Sequence, residues 1–290
     1  MIYNTRVAPS PTGDFHIGSA RTAYFSYLAA RSTGGKFLLR IDDTDQSRHS
    51  EEAVTVIYDM MKWLGLDYDE TFRQSEQKDA GIYDNFANML IKQGKAYKED
   101  GAIRLHKPDM QDTWYDEVAG DIPITEKDLS FIEGLVLIKS DGWPTYHFSS
   151  VVDDHIANVN YIIRGNDHLS NTAKHIAIYK QLGFETPKFA HVGLIHKNKK
   201  KISKRDPDNS ASMLGYKEKG YNPDAILNFL ARLGWGPQVD DKSTAILQKD
   251  KMKDLFLNGG SMKSSPANFD QAKLDSFDRK YKAMIEKNNR

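Results

Sequence analysis

The apolar and polar positions at the start of the chain predict a strand, a helix and a second strand. Residues 3–8 form a short apolar run that two prolines close. Apolar residues then recur at helical spacing over residues 17–31, and the Gly-Gly pair at 34–35 is typical of a helix end. Residues 36–41 again show a strand pattern. Because strand–helix–strand units normally connect parallel strands, the start of the chain predicts a parallel sheet.

Further along, the pattern predicts an interruption of this sheet. Short alternating strands, such as those at 102–105 and 134–138, indicate a β-rich insertion over residues 102–154. The buried-strand pattern at 160–164 shows where the sheet resumes. Helices are predicted over residues 50–63, 78–94, 172–182, 223–233 and the last 40 residues.

Composition narrows the class of protein. The chain has 290 residues and no cysteine, which excludes disulfides, thiolate catalysis and cysteine-ligated zinc. Its nine histidines show no compact ligand spacing. No apolar run reaches the ~20 residues that cross a bilayer, and the start lacks a signal-peptide layout. These features predict a cytoplasmic protein with no membrane partner and no metal site.

The net charge of the chain does not indicate a nucleic-acid partner. Forty basic and forty acidic residues give a formal net charge of zero. Basic residues are nevertheless concentrated at 196–205 and in the tail at 278–290. The tail is typical of a solvated face, whereas the first patch contains the candidate phosphate-binding residues 201–205.

The most informative stretch is residues 6–21 (RVAPSPTGDFHIGSAR), where a strand turns into a helix. A helix N-terminus attracts anions, since its backbone N–H groups and dipole point outward. Gly13 and Gly18 allow a ligand to approach the backbone closely. His16 either donates a hydrogen bond to phosphates or is a turn histidine that caps the helix. The sequence leaves both roles open.

A second stretch, residues 201–205 (KISKR), favours a phosphate-binding role for the first stretch. Its lysines can neutralise charge on a departing pyrophosphate. A basic loop alone carries little information, but together with the Gly/His turn it indicates a site that grips a triphosphate from two sides.

These two stretches resemble the signatures of a class I aminoacyl-tRNA synthetase, specifically the catalytic core of a bacterial-type glutamyl-tRNA synthetase. The family's "HIGH" signature corresponds to residues 16–19 and its "KMSKS" signature to residues 201–205. Further blocks resemble the family in the same order over nearly the whole chain: 40–45 (RIDDTD), 141–146 (DGWPTY), 151–155 (VVDDH), 163–168 (IRGNDH) and 228–235 (NFLARLGW).

The resemblance implies an α/β fold in which a Rossmann-like parallel-sheet catalytic domain carries a small α+β acceptor-binding insertion and a helical C-terminal stem-contact region. The implied divisions are 1–95 and 151–205 for the two catalytic halves, 96–150 for the insertion and 206–290 for the stem-contact region. The helical anticodon-binding region of the family begins near the end of this sequence, so the comparison predicts a synthetase without that domain.

The resemblance also implies the chemistry. The α-carboxylate of glutamate attacks the α-phosphate of Mg-ATP, and the glutamyl group then passes to the terminal ribose of tRNA. Arg6 pairs with the γ-carboxylate of glutamate and Asp42 takes the α-ammonium group. The implied glutamate-binding residues are Arg6, Ala8, Ser10, Asp42, Tyr146 and Arg164. The implied ATP-binding residues are Pro11, Gly13, His16, Gly18, Ser203 and Lys204, and the implied catalytic residues are His16, Lys201 and Lys204.

The implied partners are L-glutamate, ATP with Mg²⁺ and the acceptor stem of a tRNA, and the implied assembly is a monomer. Two departures from the family pattern matter. Asp42 stands where bacterial glutamyl enzymes usually carry Glu, and the segment between Tyr97 and Ala102 is too short for the zinc-ligating stretch of some members. A trimmed insertion without structural zinc is therefore expected.

The sequence leaves several other functions open. Glutamyl-queuosine-tRNA(Asp) synthetases are truncated glutamyl-type enzymes of about this length that share the His-x-Gly-Ser turn. Thr44, Asp45 and the Arg205-terminated loop favour a glutamyl-tRNA synthetase instead. A tRNA-independent glutamate-activating ligase, a nonenzymatic nucleotide- or tRNA-binding homologue and a generic nucleotidyltransferase are the remaining alternatives.

Overall fold

A computed structural model of the chain describes residues 1–13, 15–45, 47–202, 211–237, 246–258 and 260–288. Strands and helices alternate over residues 5–79, and the rest of the chain also contains runs of consecutive strands. The strands are β1 (Thr5–Val7), β2 (Phe37–Ile41), β3 (Glu70–Arg73), β4 (Ala96–Glu99), β5 (Ala102–Leu105), β6 (Thr113–Asp116), β7 (Gly120–Pro123), β8 (Val136–Ile138), β9 (Tyr161–Gly165), β10 (Lys188–Val192), β11 (Ile195–Lys197), β12 (Lys200–Lys201), β13 (Trp235–Pro237), β14 (Gly260–Met262) and β15 (Ala267–Asn268). The helices are α1 (Ile17–Thr33), α2 (Glu51–Trp63), α3 (Gln74–Asp79), α4 (Ile82–Lys92), α5 (Glu126–Ile132), α6 (Tyr146–Ile156), α7 (Leu169–Leu182), α8 (Met213–Glu218), α9 (Pro223–Ala231), α10 (Lys249–Leu255) and α11 (Gln271–Asn288).

Parallel strands form the centre of the fold, as the sequence predicts. β1, β2 and β3 pair in parallel in that order, and β6, β10 and β9 form a second parallel set whose edge is extended by antiparallel β7. The two sets meet at β1 and β9, because the carbonyl of Asn4 accepts the N–H of Tyr161 at 3.3 Å. The chain runs outward from β1 in one direction and from β9 in the other, so a topological switch point lies between them.

Helix α1 is held at both ends and buried on most of its surface. His16 caps its start, and Gly34 ends it in the left-handed conformation with φ +73°. The small and aromatic residues Ala23, Tyr24 and Phe25 are fully buried, so the helix packs against the sheet, α9 and α10. This burial fixes the N-terminus of α1 at the edge of the parallel strands.

A second apolar cluster lies under the insertion. Antiparallel β4, β5 and β8 form a small sheet, and α4, α6 and α7 pack beside it through fully buried residues such as Leu90, Val151 and Ile178. Helix α6 spans residues 150 and 151, where the sequence places a domain boundary. The division of the chain into domains stays a prediction.

Several predicted elements are confirmed and three are wrong. The first strand–helix–strand unit, the Ser50 cap of α2 and the helix at Pro223 are present. The helix predicted over residues 78–94 is instead two helices, separated at Gly81 with φ +72°. Residues 146–154, predicted as the end of the β-rich insertion, belong to helix α6. The last 40 residues are not helical throughout, because β14 and β15 lie between α10 and α11.

Candidate active site

A cavity of about 800 Å³ lies at the carboxyl ends of β1, β2, β9 and β10, next to the N-terminus of α1. Ligands of open α/β sheets bind at this position, where the strand order switches. Most of the site residues predicted from the sequence line the cavity. They are Arg6, Ala8, Ser10, His16, Gly18, Asp42, Tyr146, Arg164 and Lys201.

The remaining predicted residues do not line this cavity or cannot be placed. Pro11 is buried, and its carbonyl accepts the N–H of Ser50 at 3.2 Å. Gly13 is exposed, with a φ of +122° that favours glycine. Ser203 and Lys204 lie outside the described residues. The ATP-binding role of these four residues stays a prediction.

His16 caps helix α1 and faces the cavity at the same time. Its Nδ1 accepts the N–H of Gly18 at 3.0 Å. Since Nδ1 accepts, the ring proton of the neutral imidazole lies on Nε2, which makes that nitrogen a donor. A Cβ at position 18 would come within 3.2 Å of Nδ1 and press on the cap, so glycine suits this position. The two roles that the sequence leaves open for His16 are therefore compatible.

The helix N-terminus is less open than the sequence suggests. The N–H of Ile17 donates to the carbonyl of Ala211 at 2.8 Å, and that of Gly18 is taken by His16. The first turn of α1 contains no acidic residue, so the dipole still favours an anion there. An anion at this point would be recognised mainly by the dipole and by side chains such as His16.

Buried arginines and aspartates form the floor of the cavity. Arg40 donates from Nε to Asp42 at 2.6 Å and from Nη1 to Asp154 at 2.7 Å. Burial by itself lowers the pKa of Arg40, but the carboxylates of Asp42, Asp154 and Asp153 outweigh it and raise that pKa well above its usual value. Burial also raises the pKa of Asp42, against the opposing effect of Arg40. This network holds the Asp42 carboxylate at the cavity wall.

Arg6 shares one of these carboxylates. Its Nε donates to Asp154 at 3.1 Å, and this is the single hydrogen bond of its side chain among the described residues. The guanidinium is held at its Nε end while its two terminal nitrogens have no protein partner in the described part of the chain. A buried, half-satisfied guanidinium beside a cavity is suited to bind a carboxylate through both terminal nitrogens.

Asp153 lies behind the network, where burial disfavours the charged form of its carboxyl group. It accepts hydrogen bonds from Gln74 at 2.7 Å and from Tyr83 at 2.9 Å, and it lies 3.7 Å from Arg40. Burial raises its pKa to about 7, although Arg40 and Gln74 oppose the shift. The folded protein therefore binds a proton at Asp153 between about pH 4 and pH 7 that the unfolded chain releases.

We expect the Asp153→Asn variant to be more stable than the wild type at pH 8. A folded-state pKa above the unfolded value makes the free energy of unfolding fall as pH rises through this window. The amide mimics the neutral carboxyl, so the gain at pH 8 should be roughly 4 kcal/mol, since a pKa raised from 3.8 to about 7 corresponds to about three units of about 1.36 kcal/mol each. Urea unfolding at pH 5 and pH 8 measures it, and the gain should shrink at pH 5.

The exposed Asp79→Asn substitution is the matched control and should change stability by less than about 0.5 kcal/mol at either pH. Shifted histidines elsewhere affect wild type and variant equally and cancel in the difference. An Asp153→Asn variant that is less stable than wild type at pH 8 would show that the Asp153 charge is stabilising.

Arg164 and Tyr146 form the opposite end of the cavity, among histidines. Tyr146 lies 3.0 Å from Nδ1 of His168 and 3.4 Å from Nη1 of Arg164. Burial and the charge of Arg164 lower the pKa of His168 to about 4. Burial, Lys174 and Arg164 lower that of His147 to the same value. These histidines are neutral at pH 7, so the positive charge at this end belongs to Arg164.

Lys201 lies at the rim of the cavity. Its Nζ forms an ion pair of 2.9 Å with Asp167, which lies in the short turn after β9 and also lines the cavity. Burial tends to raise the pKa of Asp167, but the hydrogen bond from Lys201 outweighs it and lowers that pKa. A phosphate at this rim would compete with Asp167 for the lysine.

Sequence reasoning assigned no role to several residues of this site, among them Arg40, Asp154, Asp167 and His168. A usable signal was present for the first two. Arg40 is a charged residue inside an otherwise apolar strand, and Asp154 follows the apolar Val151-Val152 pair. Charged residues in buried segments need partners, and their partners here are each other.

The comparison with known proteins identifies the family of the chain. The chain matches the family described as tRNA synthetases class I (E and Q), catalytic domain, over residues 3–102 and 98–276. The chain belongs to this family. Arg6, His16, Asp42, Tyr146, Arg164 and Lys201 all lie within the matched residues.

Individual members of the family are similar over most of the chain. A glutamate–tRNA ligase of Sulfurimonas denitrificans is 39% identical, covering 96% of this chain and 66% of the relative. One from Acholeplasma laidlawii is 38% identical, covering 96% and 64%. A crystal structure of a glutamate tRNA ligase from Elizabethkingia meningosepticum in complex with its amino acid superposes with a TM-score of 0.83 at 30% identity, covering 97% of this chain and 70% of that one. The chain thus spans slightly less than two thirds of the two curated relatives.

None of the helices in the described ranges is long and apolar enough to cross a membrane. Within the same residues, no group of three or more His, Asp or Glu side chains is placed to hold a metal ion. The expectation of a synthetase without structural zinc stays a prediction.

Proposed function

We propose that this chain activates L-glutamate with Mg-ATP and transfers the glutamyl group to the 3′ end of tRNA(Glu). An oxygen of the α-carboxylate attacks the α-phosphorus of ATP, and the bond to pyrophosphate breaks. A hydroxyl of the terminal ribose of tRNA then attacks the acyl carbon, and AMP leaves. Family membership and the similar glutamate–tRNA ligases support this reaction type.

One observation carries the choice of substrate. The cavity has a buried guanidinium with open terminal nitrogens, Arg6, and a buried carboxylate, Asp42, within one arginine–aspartate network. An amino acid with an anionic side chain supplies the complementary groups, a carboxylate for Arg6 and an ammonium for Asp42. Glutamine would place an amide NH2 group, which cannot accept a hydrogen bond, against one of the two terminal nitrogens of Arg6, and an unpaired donor is costly in a buried site.

The proposed ATP site is the opposite part of the cavity. His16 presents Nε2 as a donor beside the N-terminus of α1, and Lys201 lies at the rim. Lys204 and Ser203 are proposed to close over the phosphates, and Pro11 and Gly13 to border the nucleotide. Mg²⁺ enters with ATP as part of the substrate. Catalysis in this arrangement is positioning and charge stabilisation.

The outer parts of the chain are proposed to hold the tRNA. Residues 96–150 would contact the acceptor end and residues 206–290 the stem, as their order in the family implies. Because tRNA is charged where it is used in protein synthesis, we place the reaction in the cytoplasm.

The test is acylation of unfractionated tRNA with labelled glutamate, run beside glutamate-dependent ATP–pyrophosphate exchange with and without tRNA. Periodate treatment of the tRNA and mild alkali treatment of the product identify the bond. An alkali-labile ester on the terminal ribose of tRNA(Glu) supports the proposal. Labelling that requires queuosine in tRNA(Asp) would show that queuosine is the acceptor. Exchange without any transfer to tRNA would show that the acceptor is not a tRNA. Absence of both exchange and transfer would overturn the proposal.

A further inference from the structure

Arg164 is a buried cation whose charge is balanced at a distance. Its side chain is among the buried charges of the protein, with a relative exposure of 6%. No carboxylate forms an ion pair with it among the described residues. Instead its Nε donates to Nε2 of His191 at 2.9 Å, and its Nη2 donates to the hydroxyl of Thr172 at 2.8 Å. Its guanidinium carbon lies 5.4 Å from the ring centre of Phe189.

The negative charge stands on the far side of His191. Nδ1 of His191 and Oδ2 of Asp116 are 2.6 Å apart, and both residues are fully buried. The other oxygen of Asp116 accepts the N–H groups of Val118 at 2.9 Å and Ala119 at 2.8 Å. The carboxylate is therefore fixed by its own turn and aims one oxygen at the histidine.

The sheet register produces this alignment. Arg164 on β9 and His191 on β10 are direct partners, and Asp116 on β6 is paired with Phe189, two residues before His191. Side chains two residues apart on a strand lie on the same face. Asp116, His191 and Arg164 thus form a row across three neighbouring parallel strands, with Arg164 at the end that reaches the cavity.

The contacts of the His191 ring determine its tautomer: Nδ1 faces Asp116, and Nε2 faces Arg164 and, at 3.2 Å, the hydroxyl of Thr172, which can donate as well as accept. A carboxylate only accepts hydrogen bonds and a guanidinium only donates them. Nδ1 must therefore carry the proton that points to Asp116, and Nε2 must offer its lone pair to Arg164. We infer that Asp116 and His191 are positioning residues for Arg164. Asp116 fixes the tautomer of His191, and His191 then binds Nε of Arg164 behind the site. This leaves Nη1 of Arg164 facing Tyr146 and the amino-acid end of the cavity. The inference rests on the proposed function for the identity of the ligand, an amino-acid carboxylate.

Asp116→Asn tests the tautomer with little change of shape. The amide oxygen keeps the N–H groups of Val118 and Ala119 and can also accept the backbone N–H of His191, which lies 3.3 Å from Oδ1, so the amide nitrogen must donate to Nδ1. The proton of His191 then moves to Nε2 and meets the N–H of Arg164. Buried histidine–aspartate pairs lose function through such a change of tautomer. We expect the KM for glutamate in pyrophosphate exchange to rise roughly 10- to 100-fold, the range typical when the outer hydrogen-bond partner of a metal-binding histidine is changed. The KM for ATP should change by less than about threefold.

Two substitutions of His191 separate the hydrogen bond from packing. His191→Gln places an amide oxygen near the position of Nε2 and should restore part of the glutamate affinity that His191→Phe loses. The matched control is Glu51→Gln, which alters another histidine–carboxylate pair, 2.8 Å from His49, outside the cavity. It should leave the KM for glutamate unchanged. An Asp116→Asn variant that melts earlier but keeps its KM for glutamate would reduce the pair to a structural role and overturn the inference.

Long-range ¹⁵N NMR of the histidine rings in the wild-type protein tests the inference without any variant. His191 should show the neutral Nδ1–H tautomer in the free protein, and Asp116→Asn should convert it to Nε2–H. An imidazolium or an Nε2–H ring in the wild type would overturn the inference. Because this measurement needs no substrate, it stays decisive even if the chain does not activate glutamate, which would be a failure of the proposed function alone.

Discussion

Arg6→Ala should lower kcat/KM for glutamate in pyrophosphate exchange by about a thousandfold. Removing one partner of a buried, hydrogen-bonded charge pair costs 2–5 kcal/mol or more, and about 4 kcal/mol corresponds to three decades. The residual activity should lose its preference for glutamate over glutamine, because nothing at that position then distinguishes a carboxylate from an amide. Steady-state exchange with each amino acid measures both effects.

Two further variants make this result specific. Arg6→Lys keeps a positive charge near Asp154 but lacks the planar fork, so it should fold more stably than Arg6→Ala and still lose at least about a hundredfold. Arg31→Ala removes an arginine of α1 that pairs with Asp67 and Asp69 outside the cavity, and exchange should be unaffected. If Arg6→Ala retained its preference for glutamate, the role assigned to Arg6 would be wrong.

His16→Asn should lower pyrophosphate exchange by roughly 10²- to 10³-fold while leaving the stability of the protein nearly unchanged. Asparagine is among the best N-cap residues, so its side chain can accept the N–H of Gly18 in place of Nδ1. It cannot place a donor where Nε2 of His16 stands. Loss of one donor to a developing negative charge typically costs this much in rate.

Two variants that lose a helix cap are the controls for His16→Asn. His16→Ala removes cap and donor together and should add a loss of about 1 kcal/mol in unfolding free energy. Ser50→Ala removes the cap of α2, where the Ser50 hydroxyl accepts the N–H of Ala53, and should cost similar stability without affecting exchange. Exchange by His16→Asn within about threefold of wild type would mean that His16 serves only as a cap. Thermal melts and exchange on the same four proteins decide the matter.

The comparison of predicted and observed elements shows where local pattern is sufficient. The first strand–helix–strand unit follows from spacing and from residues that begin or end helices, and these signals act within a few residues. Helix α6 was missed because its β-branched and aromatic residues favour a strand locally. Packing between α4 and α7 stabilises the helix instead, and no local signal reports that packing. β14 and β15 exist only because distant β13 and β11 pair with them.

The candidate site divides in the same way. The resemblance to a family directed attention to Arg6, Asp42, Tyr146, Arg164 and Lys201, and the structure brings these residues to one cavity. The structure also places other residues at the site, and their role depends on the side chains that they contact. Asp154 matters because it accepts hydrogen bonds from both Arg6 and Arg40.

By itself, the sequence determined the α/β class, the start of α1 at His16, the acidic and basic residues available for a site, and the family signatures that connect them. The tertiary structure decided which charges meet. Asp116 is separated from His191 by 75 positions along the chain, and only the register of β6, β10 and β9 aligns the pair with Arg164. The physical reason is that helix caps and periodicity are local interactions, whereas the charge state and orientation of a buried group depend on all the neighbours that the fold packs around it.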